Sequence, residues 1–237
     1  MHLGQLHYLP LSPAFFSILV ALFVVVLILI QLGVLRYAYM RLGLSPGAAL
    51  LLLFGSLIGS YFNIPVAELP ERQILSGQEV DFFGMHYMVP VVTDWPGTVI
   101  AVNVGGALIP TLMSIYLLIK NRLWLRGVLA TAVVAAVCHL LSHPVAGVGI
   151  AEPVFVPSAV TAVAALVLSR EHAASLAYIS GSLGTLIGAD LLNLGKVQGL
   201  GAPVASIGGA GTFDGIFLIG ILAVLIASLT GAREPAR

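Results

Sequence analysis

Long unbroken apolar runs, the first from Ala14 to Leu35, recur along this chain. Each is near the length of about 20 residues that carries a helix across a bilayer. A water-soluble fold has no way to bury so many runs with so little polar surface. Only 8% of the residues are charged, where soluble domains carry about 25%. Mean hydropathy is +1.07. The runs are continuous and do not alternate, which excludes a β-barrel. The fold class expected is therefore an all-α membrane protein, with the whole of 1–237 forming one integral membrane domain.

Zero net charge argues against a nucleic-acid partner. The single cysteine, Cys138, excludes an intramolecular disulfide, a CxxC redox pair and a cysteine-rich zinc module. Met1 to Ser12 has no basic stretch, so the first run reads as a span and not as a cleaved leader.

Seven spanning helices are expected. They run over Ala14–Leu35, Pro46–Ile64, Gly97–Ile119, Leu125–Leu141, Phe155–Leu168, His172–Leu194 and Thr212–Leu229, the last with an earlier start at Ser206 as an option. Pro46 suits a helix start, where its missing N–H costs nothing. The only long polar stretch, Val66–Pro96, lies between the second and third spans. Within it, Arg72–Leu75 and Glu79–Tyr87 flank Ser76-Gly77-Gln78, a pattern that predicts a small β-hairpin in an outer loop.

Basic residues set the expected orientation. Eight of them (Arg36, Arg41, Lys120, Arg122, Arg126, Arg170, Arg233 and Arg237) fall in one set of loops, against two (Arg72 and Lys196) in the other. The richer side is read as cytoplasmic. That puts the N-terminus outside, the C-terminus inside and the hairpin loop outside.

Two short segments recur in the same order. Gly55-Ser-Leu-Ile-Gly59, followed by Asn63, matches Gly184-Thr-Leu-Ile-Gly188, followed by Asn193. Val104-Gly-Gly-Ala107 matches Ile207-Gly-Gly-Ala210. This predicts a 3+1+3 parallel internal repeat, with halves at about 14–119 and 154–231 and a linker helix at 125–141. Parallel repeats related by an axis along the membrane normal occur in transporters. The plainer reading is that these GxxxG glycines simply let helices approach closely.

The stretch from Tyr178 through Asp190 to Leu194, with Ser206 through Asp214 to Phe217, resembles a prokaryotic membrane-protein family known as domain of unknown function 1614. The resemblance runs from the second span onward. It implies a multi-pass protein of a prokaryotic cytoplasmic membrane and brings no activity or cofactor with it.

An ionisable group inside a span is costly, about 2.5–3.5 kcal/mol for Asp at a helix centre, so each is a functional candidate. Asp190 lies near the outer end of the sixth span. Asp214 opens the seventh, after Gly208, Gly209 and Gly211, a glycine run that predicts unwound backbone over a cavity. The two carboxylates are expected to meet. The plainer alternative makes Asp214 a helix cap and Asp190 a partner of Lys196. Asn103 is expected to reach Asn193 or Asp190, or else to act as helix-to-helix glue. His139 and His143, at i and i+4 on the fourth span, with Glu152 beyond, form a weak metal pattern; interfacial histidines that snorkel fit as well. Glu152 reads equally as part of a loop dipping into the membrane and as a surface residue.

Two functions fit this inventory. One is a proton- or cation-coupled small-solute transporter, with Asp190 and Asp214 holding the ion and Asn63, Asn103, Asn193 and Glu152 lining the path. The alternative is an intramembrane aspartyl protease with Asp190 and Asp214 as its dyad. Gly209-Ala-Gly211 before Thr212-Phe213-Asp214 is similar to the GxGD motif of presenilins and signal peptide peptidases. However, Thr212 stands where the motif has Asp.

Overall fold

The computed structural model describes residues 18, 21–25, 40–70, 72–82, 85–95, 97–145, 149–153, 155–197, 203–209 and 215–230. Its elements, in order, are α1 (Pro46–Gly59), β1 (Asn63–Leu69), β2 (Arg72–Phe82), β3 (Met85–Trp95) and β4 (Thr98–Asn103). A π-helical turn, Val104–Leu108, leads into α2 (Ile109–Asn121), and α3 (Trp124–Leu141) follows. A short hairpin of β5 (His143–Val145) and β6 (Gly149–Ala151) precedes α4 (Phe155–Leu168) and α5 (Ala173–Thr185). A second π-helical turn, Leu186–Asp190, a 3-10 turn, Leu191–Asn193, and α6 (Leu194–Val197) prolong α5. The chain closes with β7 (Val204–Ile207) and α7 (Gly215–Thr230).

The helices begin and end for local reasons. Ser45 caps α1 by accepting the Ala48 N–H at 3.3 Å, with Pro46 in the first turn. Arg122 ends α2 in the left-handed region at φ 53°. Ser142 takes an extended backbone after α3, and its Oγ donates to the Cys138 carbonyl at 2.6 Å.

The core is built from small residues. Every residue from Ala173 to Ser182 in α5 is buried, among them Ser175, Ser180 and Ser182. Helix α5 packs against α2, α3, α4 and α7. Large apolar side chains lie on the outside, for example Leu51, Leu125, Leu140, Phe155 and Val167, each more than 70% exposed. Small inside and large outside is the pattern of helices that pack in lipid.

Several expectations need correction. The helix from Pro46 stops at Gly59 and strand begins at Asn63, so Ile64 is not helical. Pro65, which cannot continue a helix ladder, stands just beyond. Thr98–Asn103 is a strand, not the first turns of a helix; its Thr-Val-Ile run is β-branched and suits a pleated sheet. Ser206 and Ile207 belong to β7 and do not start the last helix. The β2–β3 hairpin exists but reverses later than expected. Phe82 pairs with Met85, and Gly77 faces Pro90 in mid-strand. Pairing a glycine with a proline, which lacks a donor, is compatible with strand interior only at such a weak ladder position. Of the first span, residues 18 and 21–25 are described as helix, and the Phe23 ring meets Phe54 edge-on at 6.1 Å; the rest of Ala14–Leu35 lies outside the described residues.

Helices stand essentially as expected at Leu125–Leu141 and Phe155–Leu168, the second with only 14 residues. The expected His172–Leu194 helix is one continuous run from Ala173 to Val197 that passes from α to π to 3-10 pitch and back to α.

One small sheet ties the halves of the chain together. Its order is β1-β4-β7. Strand β4 pairs antiparallel with β1 and parallel with β7, in the register Val99↔Val204 to Val102↔Ile207. The two predicted GxxxG faces are both used in packing, on different partners. Gly59 meets Gly105 and Val104, whereas Gly184 meets Val134 and Gly188 meets Ala135 and Cys138 of α3.

Candidate functional site

Two breaks in helical pitch bring backbone and polar side chains together beside the sheet. The first lies where β4 runs into α2. Asn103, wholly buried, caps the π turn there: its Oδ1 accepts the Gly106 N–H at 2.8 Å. Its Nδ2 donates to the Ser60 carbonyl at 2.8 Å and to Asn63 Oδ1 at 3.1 Å. Asn63 Oδ1 also accepts the Ser206 hydroxyl at 2.6 Å. Asn63, Asn103 and Ser206 thus join β1, β4 and β7 through one polar node.

The second break is the π turn Leu186–Asp190. Asn193 folds back on it, donating to the Gly188 and Ala189 carbonyls at 3.0 and 2.9 Å. Its Oδ1 is buried with no partner. Asp190 Oδ2 accepts the backbone N–H of Gly208 at 2.6 Å. Gly208 and Gly209 have φ of +91° and +94°, so this turn is indeed unwound, and only glycine adopts such angles without strain. At Gly208 a Cβ would also press on Ala107 at 2.6 Å. The expected meeting of Asn103 with Asn193 or Asp190 does not occur: Asn103 is committed to Gly106, Ser60 and Asn63, and the Asn193 amide nitrogen to the Gly188 and Ala189 carbonyls. Lys196 is exposed, and Asp190 takes its hydrogen bond from Gly208 instead.

Asp214 lies outside the described residues, so the expected Asp190–Asp214 pair, and with it the protease dyad, does too. Glu152, in the loop between β6 and α4, is close enough to Asp190 to feel its charge. Glu152 Oε1 is buried without a hydrogen-bond partner. Burial pushes the Glu152 carboxyl up to about 7; hydrogen bonding from the Cys138 thiol holds it back, and the charge of Asp190 adds to the rise. Cys138 is buried in α3, and its sulfur lies 3.6 Å from the Thr185 hydroxyl.

Cys138 and Thr185 were not among the residues singled out from the sequence. A lone cysteine in an apolar run has no spacing partner to mark it. Its place one turn before Ser142, on the inward face of α3, was the available signal.

The metal pattern is not assembled. Helix α3 ends at Leu141 and His143 opens β5, so His139 and His143 are not one helical turn apart on a common face. His143 is exposed, while His139 Nδ1 is buried without a partner. Among the described residues, no three His, Cys, Asp or Glu side chains are grouped to hold a metal.

A pH dependence follows from Glu152. The folded state favours the protonated carboxyl, whose ordinary value is 4.5. Stability from this group is full below about 4.5 and is lost as pH rises through about 7. The melting temperature of the detergent-purified protein should therefore fall between pH 5 and 8, and Glu152→Gln should flatten that slope. An unchanged slope in the variant would show that Glu152 does not carry it.

These features define the class: a chiefly helical protein with helices suited to a bilayer. By length and composition, Val104–Asn121, Trp124–Leu141 and Ala173–Val197 can each cross a membrane. The chain belongs to the family described as protein of unknown function (DUF1614), which matches residues 57–226. No curated protein and no solved structure matches it.

Proposed function

We propose that this chain is a proton-coupled small-solute transporter of a prokaryotic cytoplasmic membrane, with Glu152 and Asp190 as the proton-handling acids. The observation that carries the reading is a pair of sparsely partnered acids near the second pitch break: Glu152 Oε1 is buried without a partner, and Asp190 Oδ2 takes a backbone N–H from Gly208. Two acids held together in an apolar bundle resist ionising at once, so one proton is readily taken up or released near neutral pH. Pitch breaks at π turns recur at functional sites. Interrupted helices with acids at the break are how many transporters build a binding site.

The parallel pairing of β4 with β7, each running into a Gly-Gly pair, supports a parallel repeat with both halves pointing the same way. Asn63, Asn103 and Asn193 then border the solute path, and Asp214 stays a candidate second acid beside Asp190. The loop charges favour an external N-terminus and an internal C-terminus. The acids then face outward.

The test uses proteoliposomes with a lumenal pH dye, challenged in turn with amino acids, sugars, monocarboxylates and inorganic phosphate under an acid-outside gradient. The wild type should acidify the lumen with one solute class. Asp190→Asn should cut that rate at least tenfold while the protein stays folded. Infrared spectra should show a carboxylic C=O band titrating near neutrality and missing in Glu152→Gln. No proton movement with any class, together with no titrating carboxyl, would sink the reading.

A further inference from the structure

One end of the bundle concentrates positive charge on ordered turns. Lys120, Arg122 and Arg126 lie at the α2–α3 turn, Arg170 at the α4–α5 turn, and Arg41 just before α1. Hydrogen bonds fix these turns against one another. Lys120 Nζ donates to the Gly43 carbonyl at 3.2 Å, and Arg126 to Ser169 Oγ at 3.3 Å. Asn121 Nδ2 donates to Ser175 Oγ at 3.0 Å. Beneath them Leu42 and Leu123 are 1% and 4% exposed, anchored in the core. The cations are therefore presented by a rigid rim. Glu171 is the one acid among the described residues of these turns.

Apolar surface stands beside the charge. Trp124 and Leu125, between Arg122 and Arg126, are 53% and 74% exposed. A cationic rim beside an exposed indole and leucine matches a ligand that is anionic at one end and apolar at the other. A free phosphate has no use for Trp124 and Leu125, and the cations spread along a rim instead of converging in a pocket. We propose that Lys120, Arg122, Arg126 and Arg170 bind the headgroup of an anionic phospholipid, with Trp124 and Leu125 against its acyl region. This inference rests on the bilayer placement and not on Glu152 or Asp190, so either can fail alone.

Native mass spectrometry of the full chain in detergent tests it, with phosphatidylglycerol, phosphatidylcholine and inorganic phosphate as probes. Phosphatidylglycerol should bind, and neither of the others should displace it. Raising the salt should weaken it. Arg122→Gln combined with Arg170→Gln leaves the inter-turn hydrogen bonds above in place. It should weaken phosphatidylglycerol roughly 25-fold, at about fivefold per charge near a membrane surface. In a Trp95→Phe background, Trp124 fluorescence should be quenched more by brominated phosphatidylglycerol than by brominated phosphatidylcholine. Equal affinity for the two lipids, indifference to both substitutions, or displacement by inorganic phosphate would each overturn the proposal. If the double variant fails to fold, the salt series and the bromolipid comparison decide in the same way.

Discussion

Replacing Gly105 by alanine is expected to destabilise the folded protein severely. A Cβ at this position would run into the Ser56 carbonyl oxygen and into the backbone nitrogen and hydroxyl of Ser60. These atoms belong to the last turn of α1, where Ser60 N and Oγ already bond the same Ser56 carbonyl at 2.9 and 2.7 Å. Neither neighbour is the free end of a long side chain, so the two segments have to separate. Overpacking into side chains costs about 1–3 kcal/mol, and more where backbone must move. Against a total stability of about 5–15 kcal/mol that is a large share. Gly47 and Gly195 are the controls, because a Cβ there meets nothing within 4 Å. Gly47→Ala should be neutral or stabilising by up to about 1 kcal/mol, since it removes a glycine from a helix. Size-exclusion yield and thermal melting separate the cases. A Gly105→Ala protein that elutes and melts like the wild type would refute the packing described for α1 and the first π turn.

The second large effect is expected at Asn103. Its side chain satisfies three groups at once: the Gly106 N–H, the Ser60 carbonyl and Asn63 Oδ1. Asn103→Ala loses the cap, worth about 1 kcal/mol. It also strands buried polar groups at roughly 1–3 kcal/mol each. A loss on the order of 3–5 kcal/mol follows from these two effects together. Asn103→Asp is the sharper probe. It keeps an acceptor for Gly106 but turns the donor into an oxygen facing two other oxygens. It should destabilise about as much as alanine at neutral pH and partly recover at acid pH, when a protonated carboxyl can donate again. Melting curves of both variants at two pH values provide the check. Equal melting of wild type and Asn103→Asp at neutral pH would argue against the node.

How far the sequence foretold this structure depends on the scale of the interaction. The helices at Leu125–Leu141 and Phe155–Leu168 were legible because apolar runs bounded by Arg, Pro and Ser leave few choices. Thr98–Asn103 was not, because an apolar run too short to show its period reads equally as helix or buried strand. The glycines at 208 and 209 announced an unwound turn, and the turn is there. Asp190 and Asn103 read as polar groups that need partners, but the partners expected from the sequence, Asn193 or Asp190 for Asn103 and Asp214 or Lys196 for Asp190, are not the ones the structure shows. The observed partners are backbone atoms, Gly208 N–H and Ser60 C=O, and no residue type advertises them. The approach of Glu152 to Asp190 joins two residues 38 positions apart on separate elements, a tertiary event without a local signature.

The parallel pairing of β4 with β7 also says something about the order of assembly. Strands β1 and β4 are joined through the β2–β3 hairpin and can pair as soon as that stretch has been made. Val99 and Val204, by contrast, are separated by roughly a hundred residues that include α2, α3, α4 and α5. Closing so long a loop is entropically unfavourable until those helices have packed and shortened the effective chain. Strand β7 is therefore a late arrival, and the Gly208 N–H reaches the Asp190 carboxylate only with it. Until that moment the acid has no backbone donor from the glycine turn. The chemical environment of Asp190 is thus completed by the last topological step of folding, and a chain halted before it would hold its helices without its finished site.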